Sequence, residues 1–228
     1  MIAEGPKQDK KKDKKIDKPI SLREELKQHT RSRLESAAVQ MLRRHGYRAM
    51  TVEQIVHAAG TTRTTFYKYF KSKSDLIYFL QDAFIEPEMV AISLKLDQIA
   101  DPTWQALRDW VTEYSGTWNR IHLFFEAYNE ALLTDPAVAA TAIPNTYRVT
   151  SNMTCILSRF VGEERERVHE KLVIFLSMAS QMLSLSRAQG EDAHDSRLLD
   201  GFTDLFWQGF FKDLYGRSLL SSKPGKRL

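Results

Sequence analysis

Apolar residues recur along this chain at helical spacing, and no segment of useful length shows the period-two alternation of a half-buried strand. Leu34, Ala37, Ala38, Met41 and Leu42 trace one stripe, which Gly46 stops. Val52, Ile55, Val56 and Ala59 fall at i, i+3, i+4 and i+7 and trace a second. Gly60 stops it, where a helix end often needs positive φ. Phe66 and Phe70 lie four apart and predict the inward face of a third helix, and Leu76, Ile77, Leu80 and Phe84 that of a fourth. Capping residues stand where the stripes begin. Ser21 with Glu24 and Thr51 with Gln54 read as capping boxes. Thr61 or Thr62 opens the third helix, and Ser72 opens the fourth with Asp75 in its first turn. The first helix is expected over residues 22–45, and the fourth from Lys73 to about Leu96.

Further along, Asp101-Pro102 and Asp135-Pro136 each set a cap before a proline at the first helical position. The span 103–133 is long enough for two helices, broken near Trp118–Asn119. A long helix is expected from Pro136 to Val161, kinked or delayed by Pro144 and ended by Gly162. Two more are expected over 163–187, ending near Gly190, and over 196–215, ending at Gly216. The fold class is therefore all-α.

Thr51 to Lys73 says most about function. Two short helices joined by a glycine-containing turn are the layout of a helix-turn-helix, whose second helix enters the DNA major groove. Thr62, Arg63, Thr64 and Thr65 lie at the end of that helix that reaches base edges. Arg63 can donate two bonds to guanine, while Tyr67, Lys68, Tyr69 and Lys73 suit phosphates. Thr51, at a helix N-terminus, can take a phosphate with hydroxyl and N–H together.

The Gly-Tyr before the Thr51 cap, the TVEQIV-x-AAG helix, the TTRTTFYKYF helix and the KSKSDL that follows resemble the DNA-binding domain of the TetR family of transcription regulators. The match covers about 50 residues. It implies DNA contacts from Thr62, Thr64, Thr65, Tyr67, Tyr69 and Lys73, about nine helices in all, a bacterial source and an effector held in the C-terminal body. The family often has glycine or alanine where this chain has Thr64, and histidine where it has Tyr69. The expected organisation is a disordered basic tail over 1–20, a three-helix helix-turn-helix domain over 21–81, a helical ligand-binding and dimerisation domain over 82–217, and a frayed tail over 218–228.

Charge fits that division. Residues 21–81 carry 11 Lys or Arg against 5 acids, a net +6, while residues 82–228 carry 15 against 20, a net −5. A basic head on an acidic body meets phosphates with one end only. No apolar run approaches the ~18 residues of a membrane span, and no signal-peptide pattern opens the chain, so the expectation is a cytoplasmic protein without a membrane partner. The single cysteine, Cys155, reads as a buried, inert thiol. No HExxH, CxxC, GxSxG or Walker loop is present, so neither a catalytic residue nor a metal or cofactor is expected.

Two features of the body call for partners. Trp104, Trp110, Tyr114, Trp118, Phe125, Tyr128 and Tyr147 crowd one region, with His122, Asn129 and Asn152 among them and Met178 and Met182 opposite. An apolar pocket with a few polar groups would hold a small apolar or amphipathic effector; the competing reading is plain core packing. The last two helices are apolar around more than one face. Leu176, Leu183, Phe202, Phe206 and Phe210 are expected at a homodimer interface. The sequence reading is thus a homodimeric repressor on a palindromic double-stranded operator, released by an effector. Its rival is an effector-independent or architectural DNA-binding dimer.

Overall fold

The computed structural model describes residues 21–100, 102–188 and 196–212. The expected tails over 1–20 and 218–228, and the helix ends near Gly190 and Gly216, lie outside the described residues. Every regular element among the described residues is helical.

The head begins with α1 (Leu22–Ala49), whose N-cap Ser21 accepts from the Glu24 amide. The helix runs past the expected stop because Gly46, at φ +71°, kinks it without ending it; one further turn closes on the bond from Met50 N–H to the Gly46 carbonyl. In α2 (Val52–Ala58) the capping box is complete, with Gln54 N–H to Thr51 Oγ1 at 3.2 Å and Thr51 N–H to Gln54 Oε1 at 2.8 Å. Thr62 caps α3 (Arg63–Tyr69), and Ser72 caps α4 (Lys73–Leu80). Leu34, Ala38, Leu42, Ile55, Phe66 and Leu76 are buried where these four helices meet.

Gly60 makes the α2–α3 turn at φ +58°, and a β-carbon there would lie 2.8 Å from Arg33 Nη2, which donates to the Ala59 and Gly60 carbonyls. Left-handed backbone costs a non-glycine residue roughly 1–2 kcal/mol. Gly60→Ala should therefore lower stability by about that much or more, seen as an earlier thermal unfolding midpoint.

The chain leaves α4 through a wide π turn (Gln81–Ile85) into α5 (Glu86–Asp97), making one helical run over 73–97. Pro87 accounts for the wide turn. It has no N–H to offer the carbonyl four residues back, and its ring crowds that carbonyl.

The body is organised on α6 (Trp104–Thr134), an unbroken helix of 31 residues capped by Thr103; the expected cap Asp101 lies outside the described residues. No break occurs at Trp118–Asn119. Leu107, Trp110, Val111, Tyr114, Trp118 and Ile121 keep one buried stripe in phase across that point, and no proline interrupts it. Asp135 then caps α7 (Pro136–Ala139) as expected. The long helix expected from 136 to 161 is instead three pieces: α7, α8 (Ala142–Thr150) and α9 (Thr154–Leu157). Pro144 sits harmlessly in the first turn of α8. Asn152 Nδ2 takes the Arg148 and Val149 carbonyls at the end of that helix. The buried Asp97 carboxylate accepts Cys155 N–H at 2.9 Å and Ile156 N–H at 2.7 Å, holding the start of α9 from another helix. Cys155 is exposed, not buried; its thiol is weakly acidic because the Asp97 carboxylate favours the protonated form.

Gly162, at φ +58°, turns the chain into α10 (Gly162–Ala188), and α11 (Ser196–Phe206) follows with a second π turn over Trp207–Phe211. Phe175 of α10 is the hub of an aromatic cluster, with ring centres 4.0 Å from Phe206, 5.6 Å from Phe202 and 5.7 Å from Phe211. No helix among the described residues is long and apolar enough to cross a membrane.

Candidate functional site

The outer face of α3 is the candidate nucleic-acid interface. Thr62, Arg63, Thr64, Tyr67 and Lys68 are exposed on it, while Phe66 and Phe70 are buried beneath, as their four-residue spacing requires. Thr62 and Thr65 are partly occupied by capping: their hydroxyls lie 3.1 Å apart, and Thr65 N–H reaches Thr62 Oγ1. Arg63 is only loosely held. Its guanidinium pairs at 2.7 Å with Glu53 of α2, both side chains are mostly solvated, and such a pair is easily exchanged for a base edge. Tyr67 stands 47% exposed, its ring edge-on to Phe66. Tyr69 is half-buried against the head's core.

Two expected phosphate ligands have other occupations in this structure. Lys73 Nζ donates to the Tyr47 carbonyl at 2.9 Å and the Met50 carbonyl at 3.2 Å, and sits over the Tyr47 ring. It ties α4 to the α1–α2 corner, and partial burial lowers its pKa. Thr51 has its backbone N–H taken by Gln54, leaving the hydroxyl proton as its free donor.

The residues expected around an effector separate into walls and core. A cavity of about 330 Å³ opens between the π turn, α5, α6, α8 and α10. Phe125, Tyr128 and Asn129 line it, and so does Leu176, which was expected at the dimer interface. Trp110 and Tyr114 are core residues behind it. Trp110 Nε1–H donates to the Ile92 carbonyl at 2.8 Å. The Tyr114 hydroxyl is 2.6 Å from Ser180 Oγ, and burial raises its pKa. Trp118 is buried with its ring against Phe125. Trp104 bonds Asp204, His122 bonds its own helix at the Asn119 carbonyl, and Tyr147 packs on His169. Asn152 is exposed, and Met178 and Met182 edge a separate groove against α11.

Sequence reasoning missed the cavity's other walls, Gln81, Ile85 and Met89 from the π turn and α5, and Ile143 and Val149 from α8. Gln81 gave a signal, an amide placed next to the apolar stripe of α4, and Pro87 six residues on marked the wide turn that sets it on the cavity wall.

The expected dimer residues also sit elsewhere. Leu183, Phe202, Phe206 and Phe210 are buried within the protomer, with Phe202 and Phe206 around Phe175. The apolar residues left outside on these helices are Ile174, Met178 and Leu185 of α10 and Leu205 of α11, exposed by 56%, 45%, 56% and 58%.

Residues 35–78 match the family described as bacterial regulatory proteins, tetR family. No curated protein matches the chain. Among solved structures, it is similar to the TetR family transcriptional regulator PfmR from Thermus thermophilus, at 23% identity and a TM-score of 0.52, over 78% of this chain and 98% of that one. A putative TetR-family regulator from Mesorhizobium loti is similar at 12% identity and 0.53, over 80% and 97%. One from Pectobacterium atrosepticum is similar at 18% identity and 0.50, over 82% and 94%.

Proposed function

From a chain that carries a tetR-family DNA-binding domain on the helical fold of TetR-family transcriptional regulators, we propose a ligand-responsive repressor. It binds a palindromic operator as a homodimer and is released by a small apolar or amphipathic molecule. The observation that carries this reading is the position of the cavity. Gln81, Ile85, Glu86 and Met89 form one of its walls, and they belong to the same helical run whose other end, at Lys73, clamps the head. A molecule that fills the cavity and prefers a different path for that run shifts the heads away from the spacing DNA requires. Two recognition helices reach successive major grooves when they stand about 34–36 Å apart. The apolar stripe of Ile174, Met178, Leu185 and Leu205 supports dimerisation through α10 and α11.

Selection of bound duplexes from a random pool tests the reading. The enriched sequence should be palindromic, and affinity should fall steeply with salt because the head is basic. Arg63→Ala should lose about 1–3 kcal/mol and relax base preference, while Lys68→Ala should weaken all duplexes alike. Fluorescence anisotropy on the selected duplex reads both. Equal affinity of wild type and both variants for the selected and scrambled duplexes would sink the assignment of α3 to the groove.

A further inference from the structure

The chemistry of the cavity wall narrows the class of molecule it takes, granted the effector site just proposed. Glu86 is the one carboxylate, lysine, arginine or histidine side chain among the described lining residues. It is already paired with Arg148, which also reaches Asp82 at 3.1 Å and does not itself line the cavity. No cation therefore faces the interior among the described residues. An anionic ligand would lose its water without gaining a counter-charge, a strongly unfavourable exchange.

The polar groups are unequal too. The Tyr128 hydroxyl and Asn145 amide bond each other at 3.3 Å, Ser180 is held by Tyr114, and Asn129 lies 3.5 Å from Ser184. Gln81 differs. It is only 6% exposed, it lines the cavity, and its side-chain amide has no hydrogen-bond partner among the described residues. An amide that faces the cavity with its donor and acceptor open to water there offers both to a ligand, which must replace the water bonds it displaces.

We propose that the cavity takes an uncharged amphipathic molecule whose hydroxyl or carboxamide pairs with the Gln81 amide, and that it rejects the corresponding carboxylate. The apolar part lies against Ile85, Met89, Phe125 and Val149. The volume of about 330 Å³ suits a compact molecule, at the small end of ligand sites.

The test uses the full chain and N-phenyl-1-naphthylamine, an uncharged dye that brightens in apolar surroundings. Octanamide and octanoate at neutral pH compete for it. Octanamide should displace the dye at a concentration at least about tenfold lower than octanoate. Gln81→Met should weaken octanamide by about tenfold while keeping dye affinity, and should leave octanoate a poor competitor because the wall still carries no cation. Gln81→Lys should reverse the order. Ala142→Trp, which sets an indole ring on the cavity wall, should abolish dye binding and so place the probe. Circular dichroism checks that each variant folds, and either Gln81 variant alone is decisive. Octanoate competing as well as octanamide against wild type overturns the proposal, as does wild-type octanamide affinity in folded Gln81→Met or an unchanged order in folded Gln81→Lys. A folded, DNA-binding wild type with no saturable dye binding overturns the effector cavity itself, and the effector-independent dimer then becomes the better account.

Discussion

Met178→Glu should give a folded protein that sediments as a monomer and has lost at least about a hundredfold in operator affinity. Met178 is 45% exposed at the middle of the α10 stripe, flanked by Ile174 and Leu185 and facing Leu205 across the groove to α11. A two-fold interface brings the same patch of each subunit together, so one substitution introduces two carboxylates. Bringing two like charges together across the axis and desolvating them opposes association. A monomer keeps one half-site, and the second binding event loses an effective concentration worth about 10²–10⁴. Phe206→Glu is the control. Phe206 packs on Phe175 inside the protomer, so that change should unfold the body instead of separating subunits. Sedimentation velocity with circular dichroism tells the two apart. An intact Met178→Glu dimer would move the interface off α10.

Asp97→Ala should be among the most destabilising polar substitutions, by about 3–5 kcal/mol. Asp97 is 2% exposed, and its two oxygens hold the amides of Cys155 and Ile156. Hydrogen bonds to a charged acceptor contribute roughly 1.5–3 kcal/mol each, and their removal strands two donors at the start of a one-turn helix that cannot hold itself. For a chain of this size the unfolding midpoint should fall by roughly 10 °C. Asp97→Asn keeps one acceptor oxygen and should recover part of the loss. Scanning calorimetry of the three proteins checks the order. An Asp97→Ala midpoint within about 2 °C of wild type would mean that water replaces the carboxylate at no cost.

The head was legible in the sequence because its signals are local. Thr51 with Gln54, Ser72 and Gly60 act within three or four residues of themselves, and each does in the fold what its spacing implied. The body was legible only as helices. Its breaks depend on distant partners. The start of α9 is held by Asp97, far earlier in the chain, and α6 stays whole because its stripe remains buried on neighbouring helices. The aromatic cluster shows the same limit. Trp110 and Phe125 have equal apolar character, yet one bonds a backbone carbonyl in the core and the other faces the cavity. Helical periodicity identifies a buried face; it carries no information on whether that face meets packed atoms or a void. Phe202 and Phe206 were misplaced for that reason, since the face they fill belongs to Phe175 of their own chain.

The wide turn over Gln81–Ile85 also fixes an angle. In an α-helix each residue advances the azimuth by about 100° and the axis by about 1.5 Å. A run with one residue more or fewer between Lys73 and Asp97 would turn α3 to a different azimuth about the body, with every exposed residue of α3 and every cavity residue unchanged. On the proposed reading of α3 as the DNA-reading helix of a dimer, half-site spacing therefore follows residue count in the connecting run. Two chains with identical heads and bodies could be insulated from each other's operators by a single insertion there, a route to new specificity that alters no base contact.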